Sequence, residues 1–288
     1  MNHVTQTRLD TRERANVLDL KGDMSFAAGN RLAWRDITAG LRLWDLAWTL
    51  GWLDIRLRYR GSILGPFWLT LSTAIMVGSL GFLYSTLFHT DVRQYLPFLA
   101  LSQVLWAFLS TLVMEASTCF TSAEGMIRAV RMPLTLHALR LLIRNVLVFA
   151  HTIVVIVGVD IIFSVWPGWH AFLALPGLAI WGVDGMAVAL LLGAFCARFR
   201  DIGPIIGSVM MIAFFLTPVI WQPEQLGASK VFLPFNPFYA LLEIVRAPLL
   251  GHTPSADTWI AAVLYSVALC GASWGLFVRA RGRVAFWV

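Results

Sequence analysis

Charge is scarce in this sequence. Of its 288 residues, 58% are hydrophobic and 13% are charged, where a soluble domain carries roughly 25% charged residues. Too little polar surface is available to coat a water-soluble globule, so lipid must cover much of the chain. Cysteine is also sparse: Cys119, Cys196 and Cys270 are the three, and each falls within or at the end of an apolar run, which argues against a disulfide framework. The six histidines, His3, His89, His137, His151, His170 and His252, are scattered without HxxxH or HExxH spacing, so no metal site is expected. No GxxxxGK[ST] loop is present, and ATP is therefore not bound by that route. No nucleophile and base sit at a common depth, and no catalytic residue is expected. The first thirty residues lack a basic segment followed by an apolar core and a small-residue site, so no cleaved signal peptide is expected.

What is abundant is long apolar runs. A membrane-crossing helix needs about 20 such residues at 1.5 Å each. Six runs qualify, at 64–88, 97–120, 145–165, 172–196, 202–221 and 259–277. The roughly ten-residue alternating segments of a membrane β-barrel are absent from the sequence. The expected fold is an all-α polytopic membrane protein. It has six transmembrane helices, an amphipathic interface helix near the N-terminus, and a re-entrant outward segment before the last helix.

Cations fix the orientation, because inward loops retain Lys and Arg. Ten of the 22 lie before Ser62, and Arg128, Arg131, Arg140, Arg144, Arg198, Arg200, Arg279, Arg281 and Arg283 fall on the same side of a six-span layout. Only Arg93, Lys230 and Arg246 fall opposite. Both termini are thus expected in the cytoplasm, and the net charge of +6 is a topology signal. Dispersed over every inward loop, these cations do not form the concentrated face that nucleic acid requires.

The chain divides into an N-terminal arm (1–33), an interface helix (34–62) and a six-helix membrane domain (63–288). Between Trp34 and Arg60, Trp34, Ile37, Leu41, Trp44, Trp48, Trp52, Ile55 and Tyr59 recur every three or four residues, tracing one helical stripe. Flanking arginines Arg35, Arg42 and Arg56 suit a helix lying among lipid headgroups, making membrane lipids the first expected partner. Gly65-Pro66 then turns the chain into the first span, since proline is tolerated in a first helical turn. The inward loop at 121–133 carries Glu124, Arg128 and Arg131, with Glu124 and Arg128 at the spacing of a helical ion pair. The outward segment at 222–257 is apolar between Val231 and Leu250 yet broken by Pro234, Asn236, Pro237 and Pro248. A straight span is therefore disfavoured there, and one or two short helices dipping into the outer leaflet are expected. Glu243 and Arg246 form a three-residue-spaced pair within it. Inside the spans, Glu115, Asp160 and Asp184 are costly to insert, at about 2.5–3.5 kcal/mol each, and so attract functional interest. Their different depths argue for packing or a wet cavity over ion coupling.

Several strings resemble the permease subunits of ABC type-2 exporters of bacterial polysaccharides such as O-antigen, capsule and teichoic acid. Asp54-Ile-Arg-Leu-Arg-Tyr-Arg-Gly-Ser-Ile-Leu-Gly-Pro-Phe-Trp68 is similar to the family's passage from interface helix to first span. Arg198-Phe-Arg-Asp-Ile202 is similar to its turn between the fourth and fifth spans, followed by Leu216-Thr-Pro-Val-Ile-Trp221. Asn236-Pro-Phe238 and Arg246-Ala-Pro-Leu-Leu-Gly251 resemble its outward re-entrant segment. The loop at 121–133 is placed like its coupling helix but departs in wording, and residues 1–40 match no motif.

The resemblance implies a homodimeric channel in the bacterial inner membrane, paired with two copies of an ATPase subunit that holds ATP and magnesium; this chain itself holds no cofactor. It implies coupling through Arg56, Arg58, Tyr59, Arg60, Glu124, Arg128 and Arg131, and a structural turn at Arg198, Arg200 and Asp201. It further implies a polyprenyl-lipid-linked glycan as cargo, gripped by Trp106, Phe108, Phe214, Phe215 and Trp221, because aromatic faces stack on sugar rings. The alternatives are an ABC type-2 permease for a drug or lipid, and an ion-coupled carrier or membrane enzyme.

Overall fold

The computed structural model describes residues 26–65 and 67–288. The arm before residue 26 and Pro66 of the expected bend lie outside the described residues. Among those residues the chain is helical throughout, with no strand. The α-helices are α1 (Phe26–Arg42), α2 (Trp44–Arg58), α3 (Phe67–Leu87), α4 (Val92–Ser117), α5 (Glu124–Ala129), α6 (Leu134–Phe163), α7 (Ala174–Arg198), α8 (Ile202–Leu216), α9 (Pro237–Leu249), α10 (Ala256–Ala280) and α11 (Val284–Trp287). Short 3-10 turns at Thr121–Ala123, Gly168–Leu173 and Pro223–Phe235 join them.

Among the described residues, five helices are long and apolar enough to cross a membrane: α3, α4, α6, α7 with its preceding 3-10 turn, and α10. The chain is a multi-pass membrane protein. Its outward-pointing side chains fit lipid, with Phe82 and Leu83 on α3, Ile161 and Ile162 on α6, Met211 and Ile212 on α8, and Leu264 and Val267 on α10 all exposed. The fifth apolar run is shorter than expected. α8 has 15 residues, about 22 Å at 1.5 Å per residue, against a hydrocarbon core of about 30 Å.

α4 is the centre of the bundle. Leu99, Leu101, Leu105, Trp106 and Leu112 along it are all buried, and α3, α6, α7, α8 and α9 pack around it. Small residues permit the closest approaches. A Cβ on Gly177 of α7 would lie 2.8 Å from Val245 and 3.1 Å from the Ile244 carbonyl of α9, so only glycine admits that crossing. α7 also packs along α10.

Two boundaries differ from the sequence reading. The third span begins at Leu134, not at Asn145, because Arg140 and Arg144 are paired inside the helix and do not mark a solvated loop. The surface helix is two helices, α1 and α2, parted at Leu43. Along it, Trp34, Trp44, Trp48 and Trp52 are exposed while Gly40, Ala47, Gly51 and Ile55 are buried. The protein is thus contacted by a line of small residues beside the aromatic stripe, and the tryptophans are free to meet lipid. Gly51 shows why: an added Cβ would lie 3.1 Å from Ile143 and 3.2 Å from the Arg140 carbonyl of α6.

Candidate functional site

α2 crosses α6 where both carry charge. Asp54, one helical turn before Arg58, accepts from Arg140 Nε at 2.8 Å and from Arg144 at 3.4 Å. Arg58 reaches Glu115 near the end of α4 at 2.9 Å. Glu115 also accepts from Arg144 at 2.7 Å and Asn145 Nδ2 at 2.8 Å. Five charged side chains from α2, α4 and α6 therefore form one continuous network. The hydrogen bond to Glu115 holds the Arg58 guanidinium charged above its usual value, and burial pushes the neighbouring Tyr59 phenol up. Arg56 and Arg60 are exposed and outside the network.

A second joint anchors α1. Asp36 is 3% exposed. It accepts from the Leu134 and Thr135 backbone N–H groups at 3.3 and 3.0 Å and from Thr135 Oγ1 at 2.8 Å. Those amides belong to the first turn of α6, which has no partner of its own for them, so Asp36 caps that helix from another one. Arg281, just after α10, completes the joint at 2.8 Å.

α5 lies at the same end of the molecule. Glu124 and Arg128 form the expected i,i+4 pair at 2.9 Å, with both side chains exposed. Arg128 also donates to the carbonyl oxygen of Val288, so α5 is tied to the segment carrying α11. Arg131 is exposed, as are Arg200 and Asp201. Arg198 ends α7 with its guanidinium 5.5 Å from the Trp287 ring and 5.9 Å from Phe199.

The aromatic set separates into two groups. Trp106 and Phe108 are buried inside the chain. Trp106 packs between Phe214 and Phe238 at 5.8 and 5.5 Å, and Phe108 stacks on Trp181 at 5.5 Å. Phe215 is 66% exposed, and Trp221 donates from Nε1 to the Phe215 carbonyl at 3.1 Å.

That bond belongs to a third cluster, at the opposite end of α8. The chain leaves helical geometry at Thr217, where lipid could satisfy none of the freed carbonyls. Side chains do so instead. Tyr95 Oη donates to Ile220 O at 2.6 Å, and Asn236 Nδ2 donates to Leu216 O at 3.4 Å and to the Thr217 hydroxyl at 3.1 Å. Arg246, 1% exposed, donates to Pro218 O, to Glu243 and, at 3.0 Å, to Ser102 Oγ. Its guanidinium lies 4.8 Å from the Phe98 ring centroid. The segment that the sequence places outward is the 3-10 turn Pro223–Phe235, kinked at Gly227, followed by α9 with Asn236 as its N-cap and Pro237 in its first turn.

Asp184 accepts from Ser266 at 2.8 Å and so joins α7 to α10. Asp160 lies in the last turn of α6, its carbonyl accepting from the Val165 N–H at 3.0 Å. Among the described residues no group of three His, Cys, Asp or Glu side chains is placed to hold a metal, and the three cysteines are unpaired.

Sequence reasoning singled out Arg58 and Glu115 but did not join them. It missed Asp36 and Asp54 as anchors, and it read Arg140 and Arg144 only as inward-side cations. The available signal was the i,i+4 spacing of Arg140 and Arg144, which places both on one helix face.

The sequence model of the ABC-2 type transporter family matches residues 45–250. The chain belongs to that family. It is therefore a membrane transport subunit, and its fold has the interface-side network and outward cluster within the matched region. Among similar curated proteins is the O-antigen export system permease protein RfbA of Myxococcus xanthus, 25% identical over 240 residues, covering 81% of this chain and 91% of the relative. Proteins of the same name from Klebsiella pneumoniae are 20% and 19% identical over 202 residues, 69% of this chain and 78% of each relative.

Proposed function

We propose that this chain is the permease subunit of an ATP-driven exporter of polysaccharide, the glycan being carried on a polyprenyl lipid. The similarity to permeases named for O-antigen export, over four-fifths of the chain, is the observation that carries this reading. Two copies pair with two ATPase subunits, which bring ATP and magnesium. In the bacterial inner membrane, α8 together with 217–221 makes the sixth crossing and leaves both termini in the cytoplasm.

In this reading the partner ATPase presses on α5 and α2. Displacement of α2 moves Asp54 and Arg58, which are bonded to α6 and α4, so two spans receive the push through charge-assisted contacts that strengthen one another. With Trp106 and Phe108 packed inside the chain, the aromatic grip on glycan narrows to Phe215, backed by Phe214 and Trp221.

The test is co-purification with the candidate ATPase in nanodiscs, followed by ATP hydrolysis with and without lipid-linked glycan. Stimulation by the glycan is expected, and Arg58→Glu is expected to abolish it while membrane insertion persists. A complex stimulated instead by an amphipathic drug or a plain lipid, and unmoved by glycan, would overturn the cargo assignment.

A further inference from the structure

Beside the interface-side network lies a cavity of about 240 Å³ lined by Asp54, Cys119, Ser122, His137, Arg140 and Arg144. It sits between α2, the turn leading into α5, and the first turns of α6. Its walls have two properties that the protein's own groups do not balance.

The first is charge. The network holds three guanidiniums, from Arg58, Arg140 and Arg144, and two carboxylates, from Asp54 and Glu115. One positive charge is left over. Asp36 of α1, which caps the start of α6, is committed to Arg281 and does not offset it. Water screens that surplus only in part, since Arg140 and Arg144 are 23% and 19% exposed at their side chains, and an anion in the cavity offsets it.

The second is hydrogen bonding. His137 is 3% exposed, and neither ring nitrogen has a partner among the described residues. Arg144 Nε is likewise buried without an acceptor. Leaving such groups unpaired costs about 1–3 kcal/mol each. A neutral imidazole offers one N–H and one acceptor nitrogen, while Arg144 Nε offers only a donor. The complementary ligand accepts at least two hydrogen bonds and carries negative charge. It is also small, because the space exceeds a few water molecules but holds no extended chain.

We infer that this cavity is an oxyanion site that takes a phosphate group, either as a free anion or as the headgroup of a membrane lipid. On binding, His137 and Arg144 turn their unpaired nitrogens, which neighbouring atoms otherwise close off, to the oxygens, Arg140 supplies field, and the Asp54 carboxylate stays engaged with its arginines. Occupancy would fix α2, α6 and the turn into α5 relative to one another. The assignment is independent of the cargo proposed above.

Cys119 lines the same cavity; it is 4% exposed and burial pushes its thiol up to about 12, so its slow alkylation is followed at about pH 9 until a baseline rate is resolved, and that rate reports on the cavity. In the full chain with Cys196→Ala and Cys270→Ala, the alkylation rate of Cys119 by iodoacetamide is measured in two pairs of conditions. One pair is detergent solution with inorganic phosphate against chloride at equal ionic strength. The other is phosphatidylcholine nanodiscs with and without phosphatidate. At a ligand concentration about ten times Kd, alkylation slows about tenfold, since only the free fraction reacts. Slowing by phosphate identifies a free-anion site, and slowing only in phosphatidate nanodiscs identifies a headgroup site. His137→Leu removes a buried group that has no partner, so it is expected to keep the melting temperature while losing the protection. No slowing in either pair, or equal slowing in His137→Leu, would overturn the assignment and leave water as the occupant.

Discussion

The two ends of the molecule each hold a cluster of arginines and carboxylates, but the clusters are built differently. At the Arg246 end, one fully buried arginine meets one acid and two oxygens, while Tyr95 and Asn236 serve the same broken helix end. Side chains serve the Leu216, Pro218 and Ile220 carbonyls there, so moving these elements would strand freed carbonyls. At the α2 end, three arginines share two acids across three helices, and Arg58 is 44% exposed at its side chain. Partners there can be exchanged, since Arg144 touches both Asp54 and Glu115. A cluster matched around one buried arginine fixes geometry. A shared, partly wet one permits movement.

The largest expected effect follows from breaking the fixed end. Arg246→Met leaves the half-buried Glu243, 19% exposed at its side chain, without its cation and strips a donor from Pro218 O. Removing one partner of a buried pair costs about 3–5 kcal/mol. The melting temperature of the purified protein should collapse or the chain fail to accumulate. The double variant Arg246→Met, Glu243→Gln should recover part of the loss, because no charge is stranded. A stable Arg246→Met protein would show that the outward cluster is no lock.

A smaller effect in stability but a larger one in coupling is expected at the exchangeable end. In Asp54→Asn, Arg140 and Arg144 fall back on Glu115 and on water, so the cost is about 1–2 kcal/mol after allowance for partial exposure. ATPase stimulation in the assembled complex should nevertheless drop severalfold. Reversing the pair, Asp54→Arg with Arg140→Asp, should restore part of it. Gly51→Leu acts on the same crossing by bulk. It drives α2 away from Ile143 and the Arg140 backbone, at about 1–3 kcal/mol, and should lower stimulation without touching a charge.

Much of this contrast could be read from the sequence, but unevenly. The apolar runs located the spans because lipid allows few charges within a helix. The prolines between Val231 and Leu250 foretold a broken outward segment for the same reason. Leu134 as the start of α6 was not legible, since the rule that places arginines in inward loops cannot distinguish a solvated arginine from one paired to another helix. Asp54 was visible only as the first residue of a string, because its partners are 86 and 90 positions away. Trp106 and Phe108 could be named as aromatic, yet whether an aromatic faces a path or a core depends on helix rotation, which composition does not encode.

The smallest expected effect on stability is the most selective probe of the movable end. Arg128 pairs with Glu124 on an exposed helix face, and such i,i+4 pairs contribute about 0.3–0.5 kcal/mol. Arg128→Ala should thus leave the melting temperature nearly unchanged. The same side chain, however, ties α5 to the backbone at Val288, and α11 in turn packs against α7. If force enters at α5, cutting this tie lets α5 yield without carrying its neighbours, and ATPase stimulation falls although the fold is intact. Arg128→Lys keeps the charge opposite Glu124 but loses the forked contact to Val288. It should behave like Arg128→Ala if the backbone tie matters, and like wild type if the ion pair alone does. Unchanged stimulation in both variants would place the point of force on α2 alone, and would make Asp54 and Arg58 the whole of the joint.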